Sequence, residues 1–369
     1  MLTPNQYERY NRQLLLPQLG EAGQQKLLAA SVLVVGAGGL GCPVLQYLVA
    51  AGVGRIGIVD DDVVALSNLH RQILFGTSDV GKSKAVVAAH KLQLLNDAVQ
   101  VNVYNHRLTT ANAWDIIKAY DLVVDGSDNF ATRYMVNDAC VLLGKPLVYG
   151  SIYRFEGQVA VFNCNSHVNY RHLHPVQPPE NEIPNCAEAG VIGVLPGIIG
   201  SLMANEAIKI IAGIGNILCG KLFTYHSLQN HSYIFDLNAD IKADGTPTNR
   251  LLFEAVDYGD GCAAIGEPPT ILSAELNRYL AAINTLVADV REPGEQPLIT
   301  EFEHIQIPLS GLRQKVANLS AATIVVVCQT GVRSVEAARL LKAANPASTI
   351  LILKGGITAW KKIYPLATK

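Results

Sequence analysis

Apolar and polar positions along this chain follow two alternating rhythms. Short apolar runs rich in β-branched residues recur at 32–35, 55–59, 99–103 and 121–125. Runs of that length between turn signals predict buried strands. Helix-period segments separate them, at 43–51, at 84–95, at 112–119 and at 133–143. Strand and helix in alternation predict an α/β fold, a mixed sheet with helices on both faces. Residues 146–149 and 158–162 predict two more strands, the second antiparallel. Ahead of all these, 6–30 predict a short helix, a turn at Pro17 and a second helix.

The rhythm stops at 163–190, a stretch rich in His, Asn and Pro. It predicts a long loop, and long loops inside compact domains usually carry function. An apolar helix follows at 197–211, with Glu206 and Lys209 as its charges, then strands at 222–226 and 231–236. Residues 241–270 are rich in Asp, Gly, Pro and Thr and are expected to link a first domain, 1–240, to a second, 271–369. The second repeats the pattern on a smaller scale. It has strands at 286–290 and 323–327, an extended piece at 304–309, a helix at 335–343 and a last strand ahead of Gly355 and Gly356.

Composition adds little to this picture. The chain has 369 residues, 49% apolar and 16% charged, with net charge −2. That is a globular balance with no basic excess to suggest nucleic acid. The N-terminus has no apolar signal core, and no apolar run reaches the length of a membrane span. The seven cysteines are too scattered for a disulfide scaffold. Together these features predict a cytoplasmic protein with reduced thiols and neither membrane nor nucleic acid as a partner.

Candidate chemistry concentrates in the first strand–helix–strand unit. Gly36, Gly38 and Gly41 follow the first strand at G-x-G-x-x-G spacing, a helix follows them, and Asp60 ends the second strand. Glycines let the backbone approach phosphates, the helix N-terminus offers N–H groups, and the acid is placed for a ribose hydroxyl. The motif alone does not name the nucleotide. The polar loop after Asp60 carries Asn68, Arg71 and Gln72. Lys84 opens the next helix, where a lysine gains nothing from the dipole and makes sense facing phosphate; the bland reading is a solvated lysine. Asp128 lies in the turn after the fourth strand. Beside phosphates its carboxylate implies a bridging Mg²⁺; the bland reading is a turn former. Cys186, ahead of a helix N-terminus, is equally an activated thiol or an inert one. Cys328 sits between a strand and a helix with Arg333 nearby, where loop N–H groups, dipole and guanidinium favour a reactive thiolate.

The segments RYNRQLLLPQLGEAGQQKL, VLVVGAGGLGCPVLQYLVAAGVGRIGIVDDDVVALSNLHRQILF, VGKSKA, DGSDNFATRYMVND and NCAEAGVIGVLPGIIGSLMANEAIK run in order through the first domain. With them, residues 5–235 resemble the ubiquitin-activating superfamily, in its bacterial branch of molybdopterin-synthase and thiamine-biosynthesis adenylyltransferases. The resemblance implies a Rossmann-like fold that binds ATP rather than NAD. It implies that Gly36, Gly38, Gly39 and Gly41 line the nucleotide and that Asp60 takes the ribose. Asn68, Arg71 and Lys84 would hold phosphates, with Gln72 at the same site, and Asp128 would serve Mg²⁺. Arg12 resembles an arginine that reaches into a neighbouring subunit's ATP site, which implies a homodimer. The implied substrate is a ubiquitin-like sulfur carrier ending in Gly-Gly, whose carboxylate attacks the α-phosphate to give an acyl-adenylate and pyrophosphate. Cys186 matches a cysteine that some relatives turn on that adenylate.

The segments VADVREPGE, VVVCQTGVRSVEAARLLK and LKGGITAW resemble a rhodanese-like α/β domain over nearly all of 271–369. Its loop would be 328–333, with Cys328 carrying sulfur as a persulfide; related phosphatase loops are one residue longer. The fusion implies an adenylyltransferase with a sulfurtransferase domain, fed by a persulfide donor, whose product is a carrier thiocarboxylate. The molybdopterin pathway comes first, with thiamine and tRNA thiolation as alternatives. An NAD-dependent oxidoreductase would give Arg71, Lys84 and Asp128 no task, and a non-catalytic nucleotide binder would not need the full charged set. Relatives often hold zinc with two C-x-x-C pairs. Here 169–172 read NYRH and Cys262 stands alone, so no zinc is expected, although Cys164-x-x-His167 has ligand spacing.

Overall fold

The computed structural model describes residues 1–164, 168–175, 190–238, 245–258, 269–282, 284–315, 319, 321–345 and 348–364. They fall into two compact units, Met1–Asp260 and Gly261–Lys369. In the first, α1 (Pro4–Leu14) and α2 (Gly20–Ala29) precede the alternating core of β1 (Ser31–Val35), α3 (Gly41–Ala51), β2 (Arg55–Val59), α4 (Lys84–Leu95), β3 (Gln100–Tyr104), α5 (Thr110–Lys118), β4 (Leu122–Asp125) and α6 (Phe130–Leu143). After these come β5 (Leu147–Tyr153), β6 (Glu156–Phe162), α7 (Tyr170–Leu173), α8 (Val194–Ala212), β7 (Lys221–His226), β8 (His231–Asp236) and α9 (Arg250–Ala255).

The sheet order is β3-β2-β1-β4-β5-β6-β7-β8. Strands β3 to β5 are parallel, and β5 to β8 are antiparallel. Every residue of β1 and β4 is buried, because helices cover both faces of a parallel sheet. Alternate residues of β1 serve opposite layers. Val32 and Val34 pack with Leu45, Leu48, Ile199 and Met203. Leu33 and Val35 pack with Ile117, Tyr134 and Val136. The chain builds outward from β1 to β3, then crosses back to β4, so a crevice opens at the carboxyl ends of β1 and β4.

Helix α8 is longer than expected. At 19 residues it is long enough, and on average apolar enough, to span a membrane, contrary to the reading of the sequence. Pro196 sits in its first turn, where a missing N–H costs no helical bond. The helix is nonetheless pressed onto the sheet. A Cβ on Gly200 would stand 2.5 Å from the Leu40 carbonyl oxygen, and one on Gly150 would stand 2.2 Å from Met203 Sδ. Its buried Glu206 accepts the Leu218 N–H at 2.9 Å and pairs with Lys209. These contacts are those of a core helix.

Two expectations change in the structure. Cys164 and Cys219 form a disulfide, so the thiols are not all reduced. The pairing of Val161 with Cys219 brings the two Cα atoms to 6.1 Å, within bridging range. Part of the stretch expected to be a linker is also built into the units. Phe253 of α9 is fully buried against Trp114, and Tyr258 donates to Asp138 Oδ2 at 2.9 Å. A six-residue helix is too short to declare a period, which is why the composition hid it.

The second unit contains β9 (Thr270–Ile271), α10 (Leu276–Leu280), β10 (Thr285–Asp289), β11 (Ile305–Gln306), α11 (Leu309–Lys315), β12 (Thr323–Val327), α12 (Val332–Ala344), β13 (Thr349–Leu353) and α13 (Gly356–Ile363). Its sheet, β11-β10-β12-β13-β9, is parallel throughout. Core residues again alternate, with Ile324 and Val326 on one face and Val325 and Val327 on the other.

The polar anchor of the first unit is testable. Arg171 donates to both oxygens of the fully buried Asp138, at 2.8 and 2.7 Å. Arg171→Leu leaves that carboxylate without its cation and is expected to destabilise the unit by about 3–5 kcal/mol. Urea unfolding followed by circular dichroism would show it; an unchanged midpoint would contradict it.

Candidate functional site

The carboxyl ends of β1, β2 and β4 border a cavity of about 320 Å³. Gly36, Gly38, Gly39, Asp60, Arg71, Gln72, Lys84 and Asp128 all line it, so the structure brings together most residues singled out from the sequence. Gly36 leaves β1 with φ of +89°, a conformation open to glycine. Gly41 does not line the cavity. A Cβ there would fall 1.9 Å from the Gly36 carbonyl oxygen, so its work is to let α3 start hard against the loop. No side chain caps the N-terminus of α3, and none competes there with an anion.

The polar groups are tightly held. Asp60 accepts the Ala37 N–H at 2.7 Å and the Asp62 N–H at 2.9 Å, which ties the two loops together. Burial pushes its carboxyl pKa up, partly offset by the Ala37 bond. Lys84 is buried rather than solvated, and its ammonium pairs with Asp62 at 2.7 Å. Gln72 is buried with its Oε1 lacking a hydrogen-bond partner among the described residues, as expected of an acceptor reserved for a ligand or water. Asn68 does not reach the cavity. Its Oδ1 caps the Ala65 N–H, and its carbonyl accepts the Arg71 and Gln72 N–H groups, so it shapes the turn that presents those two residues.

The set fits ATP and Mg²⁺. Glycine backbone and cations suit phosphates. The exposed carboxylate of Asp128 suits a Mg²⁺ that completes its shell with phosphate oxygens and water. Among the described residues, no cluster of three or more His, Cys, Asp or Glu forms a metal cage. Cys164, one of the zinc candidates, is in the disulfide; His167 and Cys262 lie outside the described residues. So does Cys186.

Sequence reasoning passed over Asp62, Arg107 and Arg133, which also line the cavity. Arg133 is buried on α6, donates to the Ser127 carbonyl at 3.0 Å and lies 5.4 Å over the Tyr149 ring. The signal was its place in the first helical turn after the Asp128 turn. Arg12 is elsewhere. Its neighbour Gln13 donates to the Ala51 carbonyl at the far end of α3, and an 11-residue helix is about 16 Å long. Exposed Arg12 therefore contributes nothing to the cavity of its own chain.

In the second unit, Cys328 follows β12 and is buried, with the Gly331 N–H donating to its Sγ at 3.1 Å. Gly355 and Gly356 close on this loop. A Cβ on Gly356 would meet the Cys328 carbonyl oxygen at 2.3 Å, and the Ile357 N–H donates to that oxygen at 2.9 Å. Arg333 departs from expectation, because its charge is not reserved for Cys328. Both its Nη atoms donate to the Glu295 carboxylate, each at 2.6 Å. The Arg333 bonds hold the Glu295 pKa down at about 2. Cys42 and Cys140 are poor rivals as nucleophiles, since burial pushes the Cys42 thiol up to about 12 and the Cys140 thiol further.

The first unit has a glycine-lined cleft at the switch point of a doubly wound sheet, the place where α/β folds of this class bind nucleotides, and the second is a small parallel-sheet unit with a cysteine at a strand-to-helix turn. The chain belongs to the ThiF family, which matches residues 10–245, and carries a rhodanese-like domain at 272–363. It is 44% identical to "Probable adenylyltransferase/sulfurtransferase MoeZ" of Mycobacterium tuberculosis, over 98% of this chain and 94% of that protein. It is 59% identical to the "Sulfur carrier protein adenylyltransferase" of Thermus thermophilus, over 62% of this chain and 86% of that protein. It is 36% identical to "Probable molybdopterin-synthase adenylyltransferase" of Porphyra purpurea, over 97% and 94% respectively. The protein is an enzyme with adenylyltransferase and sulfurtransferase activities.

The Glu295–Arg333 pair sets a pH dependence. The folded-state pKa of Glu295 is depressed, so the pair's stabilisation is present above about pH 4.5 and lost as pH falls toward about 2. The stability gap between the native chain and Glu295→Gln is expected to close over that window in denaturant titrations. A gap of constant size would contradict the pairing.

Proposed function

We propose that the enzyme adenylates the C-terminal glycine of a ubiquitin-like sulfur carrier and delivers sulfur to it from a Cys328 persulfide. The gathering of the glycine loop, Arg71, Lys84 and Asp128 on one cavity carries this reading. ATP over Gly36, Gly38 and Gly39 presents its phosphates to Arg71 and Lys84 and its ribose to Asp60. Lys84 then exchanges Asp62 for phosphate. Mg²⁺ held by Asp128 supplies charge neutralisation when bound. The carrier carboxylate attacks the α-phosphorus, and the bond to pyrophosphate breaks. Such transfer asks mainly for positioning and charge stabilisation, which these residues supply.

The outer sulfur of the Cys328 persulfide next attacks the acyl carbon, and AMP leaves. The acyl disulfide so formed is cleaved by a thiol, which takes Cys328 Sγ into a new disulfide and releases the thiocarboxylate. Cys186 keeps the role that the resemblance implies, a thiol that some relatives turn on the adenylate itself. Molybdopterin synthesis is the first choice of pathway, as the name of the Porphyra relative suggests; thiamine and tRNA thiolation use the same chemistry. An ATP-consuming reaction suits the cytoplasm, where the Cys164–Cys219 disulfide would be an exception among reduced thiols. Tethering the two activities raises the local concentration of persulfide near the adenylate.

Mass measurement of a Gly-Gly carrier incubated with enzyme, ATP and a persulfide donor tests the reading. Native enzyme is expected to replace one carboxylate oxygen by sulfur, and Cys328→Ala to form the adenylate without the thiocarboxylate. Equal thiocarboxylate from both would remove Cys328 from the mechanism.

The position of Arg12 supports a homodimer in which each chain completes its neighbour's site. Arg12→Ala and Asp128→Ala chains, each inactive, should regain about a quarter of native activity when refolded as an equal mixture, because half the dimers hold one intact site. No recovery from mixed dimers would contradict the shared site.

A further inference from the structure

Among the described residues, two guanidinium groups stand beside the Cys328 loop, those of Arg291 and Arg333, and each is already matched by a carboxylate. Arg291 is buried and holds Asp289, with Nη2 at 2.8 Å from Oδ2. Arg333 holds Glu295 through two bonds of 2.6 Å. The two arginines also stitch the segment 291–297 to the loop at both ends. Arg291 Nη1 reaches Gln329 Oε1 at 3.2 Å and the Pro297 carbonyl at 2.9 Å, while Arg333 closes the far side. Glu295 is itself fixed, since its Oε1 accepts the Glu292 N–H at 2.8 Å. Glu292 adds a third carboxylate to the same segment, bonded to Ser310 Oγ. Among the described residues, the two guanidinium charges are thus each paired with a carboxylate, Arg291 with Asp289 and Arg333 with Glu295.

This is the reverse of a site built for a small dianion, which needs an arginine fork free to take two oxygens. A dianion approaching Cys328 would have to displace Glu295 from a bidentate pair and then lie beside the carboxylate it displaced. The pair is about one-third exposed, 35% for Arg333 and 30% for Glu295, so solutes can reach it, and the Arg333 charge lies close enough to interact with Cys328.

We propose that Glu295 is a specificity-determining residue of the sulfur site, which screens Arg333 and so disfavours small dianionic sulfur donors. The proposal rests on the persulfide reading of Cys328. In the loading step, the Cys328 thiolate attacks the outer sulfur of the donor. With thiosulfate, the donor S–S bond breaks and its electron pair leaves on sulfite. With an organic persulfide, the pair leaves on the thiolate. One sulfur–sulfur bond replaces another in each case, and no outside oxidant is needed.

The test compares the rates at which the full chain takes sulfur onto Cys328 from thiosulfate and from cysteamine persulfide, whose net charge is near zero. The loaded sulfur is read by mass on the Cys328 peptide. Glu295→Gln keeps an acceptor for the Glu292 N–H and removes the charge. It is expected to raise the thiosulfate-to-persulfide rate ratio at least tenfold. Glu295→Asp, which keeps the charge, is expected to stay near the native ratio. Glu295→Ala is read in the same way as Glu295→Gln, so loss of folding in one variant leaves the other to decide. A native chain that loads sulfur, with an unchanged or lower ratio in the folded neutral variants, overturns the proposal alone. A native chain that loads no more sulfur than Cys328→Ser from either donor overturns the persulfide reading, and the proposal with it.

Discussion

The first unit depends on one backbone contact. The loop leaving β1 turns through Gly36 in the left-handed region, and α3 begins so close that a single methyl on Gly41 would overlap the Gly36 carbonyl. From that contact follow the bare N-terminus of α3, the approach of α8 over Leu40, and the crevice between β1 and β4. An added methyl group at Gly41 would move the helix, and with it the floor of the cavity. The constraint is steric and local, yet it sets where the cavity opens.

A second theme is charge held in readiness. Lys84 rests on Asp62, and Arg333 on Glu295. Each cation lines or borders its site while paired with a carboxylate. Exchange of one anion for another asks less of a buried or half-buried cation than stripping it bare, because an isolated charge away from water is heavily penalised. The cavity of the first unit can accept phosphate by such an exchange. In the second unit the pair is bidentate and its carboxylate is anchored, so the exchange is harder.

Much of this was legible in the chain. The β-branched runs became strands within one or two residues, and Gly36, Asp60, Lys84 and Asp128 came together because the ends of parallel strands share one edge. Helices α9, α10 and α13 were not legible, since five to eight residues are too few to establish a period. Asn68 looked like a ligand because type and loop position cannot tell a side chain that caps a turn from one that faces a cavity. Arg333 looked like a free cation because Glu295 lies 38 residues away in sequence. The Cys164–Cys219 disulfide spans 55 residues and was invisible for the same reason. Long-range pairing is what local pattern does not encode.

The central claim is that the cavity is an adenylation site and not only a nucleotide pocket. Carrier-dependent exchange of labelled pyrophosphate into ATP tests it most directly, with candidate carriers ending in Gly-Gly and with Asp128→Ala as the comparison. The account predicts exchange that needs the carrier and falls by roughly 10²–10³-fold in the variant. Native enzyme that binds ATP but shows no exchange with any such carrier, or an Asp128→Ala chain that exchanges at the native rate, would contradict it.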